Sequence, residues 1–461
     1  MNILVIGSGG REHAICSTFV RSNRVTKIFC APGNAGIAEI AECISIKADD
    51  ITGLVTYASA NAIDLTFVGG ETSLALGIVD EFESRGLKII GPNREAAQLE
   101  ASKSFAKDFM ARHGVPTARY ITAHSAGFAV LELESGDFGD EDKPVVVKAD
   151  GLAAGKGVVV AANRAEAIAA INEMAALVGA DAAEKIVLEE CLVGKEVSLL
   201  MFVEGENFAL MPPTRDYKRI GEGDTGPNTG GMGTITDASL LTADELQEIT
   251  DKIIRPTLHG CIREGFPFQG ILFLGLMMVD HVSSPHVSKG SDSEVLPNGR
   301  TTDRASAPTL LEYNVRFGDP ETQSILVRLE TDFVDICEAM LAGTEEGGNP
   351  RGSKGVSSLA EMNIKWKAGN SATVVLASKG YPEYPQTGDV IHGIEGLSNS
   401  GISIFHAGTS RNETGELITS GGRVLGITTI ADNLNNALAK AYSAVGSISW
   451  NGMQYRRDIG K

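Results

Sequence analysis

A chain of 461 residues with 43% hydrophobic and 21% charged content has material for several buried cores, and at ~100–200 residues per domain its length suggests two to four domains. With 40 Lys+Arg against 59 Asp+Glu the formal net charge is −19, which argues against a nucleic-acid backbone as partner, because such binding needs a basic surface. No apolar run approaches the roughly 18 residues of a membrane span, the stretch Asn2–Ile6 lacks the length and basic flank of a signal peptide, and six scattered cysteines with no C-x-x-C pair read as reduced core residues; a cytoplasmic location is expected.

Ile3–Ile6 is short, apolar and continuous, the pattern of a buried strand. Gly7-Ser8-Gly9-Gly10 then makes a turn, and a helix is expected through about Arg21. Strands at Lys27–Cys30, Leu65–Val68 and Leu87–Ile90 alternate with helical stretches and predict a parallel α/β unit that closes at Gly91-Pro92. A helix carrying Leu99, Phe105, Phe109 and Met110 stops at His113-Gly114-Val115-Pro116. A small α+β module follows, with strands Pro144–Lys148, Val158–Ala161 and Ile186–Glu190 and a helix Arg164–Leu177. Glu196–Val203 and Asn207–Met211 read as a hairpin around Glu204-Gly205-Glu206. Arg215–Gly233 reads as a polar loop, and Thr242–Glu264 as a helix interrupted near Pro256. Ile271–Val279 and Leu310–Tyr313 are expected as neighbouring strands, separated by a polar stretch, His281–Pro308, that reads as a mobile surface insertion. The last unit, from about Asp332, carries a loop at Thr344–Gly355, strands at Ala372–Ala377, Ile402–His406 and Val424–Ile430, and a helix at Leu434–Val445.

Lys148–Gly157 is the first stretch that suggests chemistry. Its glycines let backbone approach phosphates, its N–H groups and Lys156 can clamp a triphosphate, and Lys148 offers a point charge at a strand end. The spacing is not that of G-x-x-x-x-G-K-[ST], and a plain loop with solvated lysines has the same letters. Ile186–Leu192 runs from a strand into a linker that can offer N–H and C=O groups to an adenine edge, with Glu196 further on for ribose hydroxyls; an exposed acidic turn reads equally well. Glu312 and Asn314, two apart on a strand, share one face, and hard Mg²⁺ takes one or two carboxylates plus phosphates. Arg316–Gln323 then sets one cation and two anions on a turn before a helix. Asp224–Gly233, preceded by Asp216, Lys218 and Arg219, is a second glycine-rich segment able to order over a substrate. Gly7–Gly10 lacks the third glycine of a dinucleotide fingerprint, which argues against a nicotinamide-dependent dehydrogenase, but the helix start favours an anion such as a sugar phosphate. His13 reads as a helix-surface or hydrogen-bonded residue rather than a base.

These blocks occur in one order with Ala31-Pro32-Gly33-Asn34-Ala35-Gly36, Ser102-Lys103, Gly380-Tyr381-Pro382, Gly388–Ile391 and Phe405–Thr409. Together they resemble the phosphoribosylamine–glycine ligases of the ATP-grasp superfamily over nearly the whole chain. The resemblance implies an α/β ATP-grasp fold: a Rossmann-like N-terminal domain over 1–103, an ATP-grasp domain over 104–331 with a mobile lid at about 120–191, and a small C-terminal α/β domain over 332–461. It implies ATP-dependent ligation of glycine to 5-phosphoribosylamine through glycyl phosphate, with Mg²⁺ or Mn²⁺, in a monomer or weak homodimer with no membrane or nucleic-acid partner. By the same resemblance Lys103 and Lys148 contact ATP phosphates under the loop of Gly155, Lys156 and Gly157. Glu189, Glu190 and Leu192 receive adenine, Glu196 the ribose, and Glu312 and Asn314 the metal. Arg316 is assigned to the transferring phosphoryl group or the glycine carboxylate. Asp216, Asp319 and Glu321 are assigned to the glycine ammonium or the amine, with Lys218 in the same catalytic set. Gly9, Gly10 and Asn34 face the phosphoribosyl group, and Glu71, Asp224 and Asn228 also meet substrate.

Three departures from the family pattern stand out. Gly69-Gly70-Glu71-Thr72-Ser73 replaces Gly-Pro-Glu-x-Pro, which predicts a looser loop. The 281–308 insertion is long. Ile271–Val279 carries no carboxylate, which leaves two protein metal ligands with Asp280 open. Another ATP-grasp ligase or carboxylase acting on a purine intermediate is the nearest alternative, and the Arg316–Gln323 block argues against it.

Overall fold

The structure, a computed structural model, describes residues 1–136, 138, 142–152, 157–179, 183–279, 307–342, 358–397 and 401–461. The tip of the Lys148–Gly157 loop (153–156, with Gly155 and Lys156), Asp280, the insertion up to 306 and the 344–355 loop therefore lie outside the described residues.

Asn2–Gly7 forms the centre of a five-stranded parallel sheet, ordered Glu42–Cys43, Lys27–Pro32, Asn2–Gly7, Leu65–Val68, Ile89–Ile90. Its strands are apolar without alternation because helices cover both faces. Glu42–Cys43 is too short and too polar to have shown a period. The lid is a four-stranded antiparallel sheet, Tyr120–Ala123, Ile186–Glu190, Val145–Ala149, Val158–Ala161. It packs with the helices Ala126–Ser135 and Arg164–Val178 around a core of its own.

The largest sheet runs Ala307–Asn314, Gln269–Val279, Gly194–Glu204, Thr214–Asp216, Gly233–Thr236, Asn370–Ala377, Arg423–Ala431, Ile402–His406, with Asn207–Leu210 added as a hairpin on Gly194–Glu204. It is antiparallel throughout and continues across residue 332, so the strands of the last unit extend the ATP-grasp sheet. The segment expected as a polar loop, Arg215–Gly233, instead contains strand Thr214–Asp216 and a hairpin of Arg219–Gly221 with Thr225–Asn228. Its pairing rests on polar groups, such as Arg219 Nη1 donating to the Gly226 carbonyl at 2.7 Å, so no apolar period announced it. The helix over 243–263 is not broken at Pro256; a wide turn over Thr250–Ile254 precedes it. Proline has no N–H and its ring crowds the carbonyl one turn back, and a wide turn accommodates both. Strand Ala307–Asn314 begins inside the stretch expected to be insertion, so Ala307 and Pro308 belong to the sheet.

Two large cores join these parts. One holds Phe19, Phe67, Phe202, Phe317 and Phe333, with the Phe67 and Phe317 rings stacked at 5.9 Å between centroids. Phe317 sits inside the Arg316–Gln323 block, so the charged residues around it ride on a fixed aromatic anchor.

Candidate active site

A cavity of about 360 Å³ opens where the three parts meet, within the range of small-molecule sites. Lys103 and Lys107 come from the helix Lys103–His113, Lys148 and Glu189 from lid strands, and Glu312 and Asn314 from the edge of the large sheet. Asp216 ends strand Thr214–Asp216 of the large sheet, Lys218 precedes the polar hairpin and Asn228 ends it, and Arg316, Asp319 and Glu321 follow strand Ala307–Asn314. Glu71 and Gly157 line it as well. The structure thus gathers thirteen residues singled out from sequence.

At one end the lysines are held by carboxylates. Lys148 Nζ lies 2.7 Å from Glu189 Oε1 and Lys107 Nζ 2.9 Å from Glu189 Oε2, all three side chains nearly excluded from solvent. Burial pulls the Lys107 ammonium down to about 8 although Glu189 opposes it. Lys103 donates to the Gly151 carbonyl at 3.2 Å, and burial pulls it down too. The lid loop is tied to this helix by Asp150, which accepts from the Ser104 N–H at 2.6 Å.

Glu312 and Asn314 share one face of their strand, as the two-residue period requires. Opposite them stands Gly275, where a Cβ would come within 3.0 Å of Glu312 Cγ, so the missing side chain gives the carboxylate its room. Burial alone raises the Glu312 carboxyl, but the ammoniums of Lys218, Lys148 and Lys103 outweigh it and hold it at about 2. An ionised carboxylate beside an amide oxygen is a hard-cation donor set, and it suits Mg²⁺ sharing its shell with phosphates. Among the described residues there is no group of three or more His, Cys, Asp or Glu placed to hold a metal alone.

Behind the face of Glu312 and Asn314 lies an ion network. Arg316 donates to Glu100 at 2.7 Å, to Glu71 at 3.3 Å and to Asn314 at 3.1 Å. Burial raises Glu71, yet Arg316 and Arg11 overcome it and bring it to about 2. Glu100 goes the other way: burial dominates and, with Glu71 nearby, pushes it up to about 7. Asp216 is pushed well above the usual carboxylate range by burial and by the charge of Glu321, and its Oδ1 is buried with no hydrogen-bond partner. Glu321 is raised as well, by burial first.

Seven described candidates stand outside the cavity lining: Gly9, Gly10, Asn34, Glu190, Leu192, Glu196 and Asp224. Asp319 lies against the start of the helix Gly10–Val20. A Cβ on Gly9 would meet it at 3.1 Å, and one on Gly10 would come within 2.6 Å of Gln323 Nε2. Glu12 accepts from the Gly9 N–H. Carboxylates of the protein itself thus stand close to this helix start, and Gly9 and Gly10 leave the space that Asp319 and Gln323 approach. The Asn34 amide bonds the Ser8 and His406 carbonyls and the Gly36 and Ile37 N–H groups, which fixes its loop. Glu190, Leu192 and Glu196 lie beyond the lining, and Asp224 turns to Arg456 at 2.6 Å. His13 is buried and its Nδ1 accepts the His406 N–H at 2.9 Å; burial takes its imidazole down to about 3. The loop that lost two prolines is pinned by Ser73, whose hydroxyl donates to Ala48 O at 2.6 Å.

Sequence reading missed Arg11, Glu100, Lys107 and Arg423, all of which line the cavity. Arg423 bridges Gly230 and Asp319. Arg11 directly follows the Gly7–Gly10 turn, which was a signal in itself; the other three stand in ordinary helix and strand sequence.

Family models for the phosphoribosylglycinamide synthetase N domain, ATP-grasp (A) domain and C domain match residues 1–100, 101–289 and 371–461. The chain belongs to the phosphoribosylglycinamide synthetase family. It is 42% identical to the phosphoribosylamine–glycine ligase of Xanthomonas axonopodis pv. citri, covering 100% of this chain and 97% of that one. The Vibrio parahaemolyticus enzyme of the same name is also 42% identical, with 100% and 98% covered. A crystal structure of phosphoribosylamine–glycine ligase from Thermotoga maritima superposes with a TM-score of 0.78 at 32% identity over 100% of both chains. A biotin carboxylase domain from Hydrogenobacter thermophilus shares the fold at 16% identity, 98% and 91% covered and TM-score 0.68. The protein is an ATP-grasp ligase of α/β architecture. No helix among the described residues is long and apolar enough to cross a membrane.

Proposed function

We propose that this ligase makes glycinamide ribonucleotide by activating glycine as glycyl phosphate in the cavity between lid and large sheet. The overall reaction consumes ATP, glycine and 5-phosphoribosylamine and yields ADP, phosphate and glycinamide ribonucleotide, a step of purine biosynthesis. A glycine carboxylate oxygen attacks the γ-phosphorus and ADP leaves. The amine of phosphoribosylamine then attacks the acyl carbon, loses a proton, and expels inorganic phosphate. Positioning and charge stabilisation carry such chemistry.

The single observation that carries the assignment is the convergence of Lys103, Lys148, Glu312, Asn314 and Arg316 on one cavity. Lys103 and Lys148 meet the ATP phosphates, with Gly157 beside them in the lining. The apolar wall of Met110, Val158 and Leu311 suits adenine, with the Glu189–Leu192 strand end offering backbone groups and Glu196 nearby for the ribose. Glu312 and Asn314 would hold Mg²⁺, with Mn²⁺ as an alternative, and a cation held there would neutralise phosphate charge. Arg316, held by Glu71 and Glu100, faces the phosphoryl group or the glycine carboxylate. The unpartnered Asp216 Oδ1 suits the glycine ammonium, with Lys218, Asp319 and Glu321 around it. If the chain is divided into 1–103, 104–331 and 332–461, the cavity lining draws residues from each part, Arg423 from the last.

Purified protein given Mg-ATP, glycine and freshly generated phosphoribosylamine, each omitted in turn, tests the reading. ADP release requiring both glycine and phosphoribosylamine supports it; well-folded, ATP-binding protein without that dependence refutes the substrate assignment.

A further inference from the structure

Arg456 is the largest fully buried charged side chain of the described residues, 1% exposed, and lies far along the chain from every motif above. Its Nε and Nη2 donate to Asp458 at 2.8 and 2.7 Å, and its Nη1 to Asp224 at 2.6 Å and to the Arg219 carbonyl at 3.1 Å. The guanidinium also stands 5.2 Å from the centre of the Tyr217 ring, a cation–π distance. Tyr217 accepts the Gly460 N–H on its hydroxyl at 2.8 Å, and Asp458 Oδ2 accepts the Gly223 N–H at 2.8 Å. Every one of these contacts falls on the stretch from Tyr217 to Asp224 or within the segment Arg456–Gly460. Tyr217 separates Asp216 from Lys218, and the hairpin that Asp224 closes ends at Asn228, three of the residues that line the cavity. Asp224 has a φ of 53°, an uncommon conformation for a residue with a side chain, and its carboxylate on Arg456 accounts for its retention there.

We propose that Arg456 is a positioning residue: through Tyr217 and Asp224 it clamps the hairpin so that Asp216, Lys218 and Asn228 face the cavity. The inference rests on the role given to those three residues above. It reassigns Asp224 from substrate contact to the clamp. A planar five-donor fork makes this set of bonds; an ammonium of the same charge cannot.

The test is hydrogen exchange of the full chain together with steady-state kinetics on Arg456→Lys and Asp458→Asn. Asp458→Asn leaves Arg456 its Asp224 partner, so it serves should Arg456→Lys fold poorly. Both variants should show amides of 219–228 exchanging at least tenfold faster, with strand Gln269–Val279 at wild-type rates. Turnover should fall at least tenfold while the KM for ATP stays within twofold. Asp224→Ala combined with Arg456→Lys should lose no more turnover than the worse single variant. Wild-type exchange in 219–228, faster exchange with wild-type turnover, or additive losses in the double variant each overturn the proposal. The exchange arm needs no substrate, so it judges the clamp separately from the assignment of glycine and phosphoribosylamine.

Discussion

Glu189→Gln removes one carboxylate from between two buried ammoniums. Lys107, Glu189 and Lys148 are 3%, 2% and 7% exposed at the side chain, so water screens little of the change. Removing one partner of a buried ion pair costs about 3–5 kcal/mol. Part of that is relieved here, because Lys107 already stands at about 8 with Glu189 holding it up; without that carboxylate it falls further and sheds its proton. Each unit of such a shift is worth about 1.4 kcal/mol, so a net loss of about 2–4 kcal/mol is expected near neutral pH. The sign of the pH dependence follows. In the variant the folded state holds fewer protons than the unfolded state over a wider range, so its deficit against wild type should shrink as pH rises from about 6 to 8. Urea unfolding at several pH values measures this. Lys148 also loses its anchor, so the KM for ATP should rise about tenfold or more. Equal stability, or a deficit that does not change with pH, would refute the reasoning.

Two other substitutions follow from the same geometry. Glu312→Ala should keep the fold and lower turnover by about 10²–10³, the scale for losing one preorganised charge; turnover within twofold of wild type would remove Glu312 from the metal face. Glu100, pushed up to about 7, sits above its unfolded value of about 4.3. Its protonated form therefore contributes stability that is complete below that value and is lost as pH rises through about 7. Glu100→Gln should flatten the fall of stability between about pH 5 and 8, read by thermal unfolding, and an unchanged slope would contradict the raised carboxyl.

The sequence was most legible where one periodicity or one motif sufficed. Asn2–Gly7 and the helix Leu434–Val445 stand where their apolar spacing put them. Glu312 and Asn314 share a face because a strand allows nothing else. The hairpin over 219–228 was illegible because its pairing uses polar side chains and a distant arginine. Lys107, Glu100 and Arg423 were illegible because their meaning is tertiary: each is an ordinary charge in an ordinary element until the fold brings its partner within reach. Gly9 and Gly10 were legible as special, but their close approach to Asp319 and Gln323, about 310 positions on, was not, because it is tertiary.

The central claim is that the glycine carboxylate is phosphorylated before the amide forms. Glycine labelled with ¹⁸O in both carboxylate oxygens tests it in one turnover experiment with ATP and phosphoribosylamine. The account predicts one labelled oxygen in each inorganic phosphate released and the other in the amide carbonyl of the product. Unlabelled phosphate, arising from water, would contradict it.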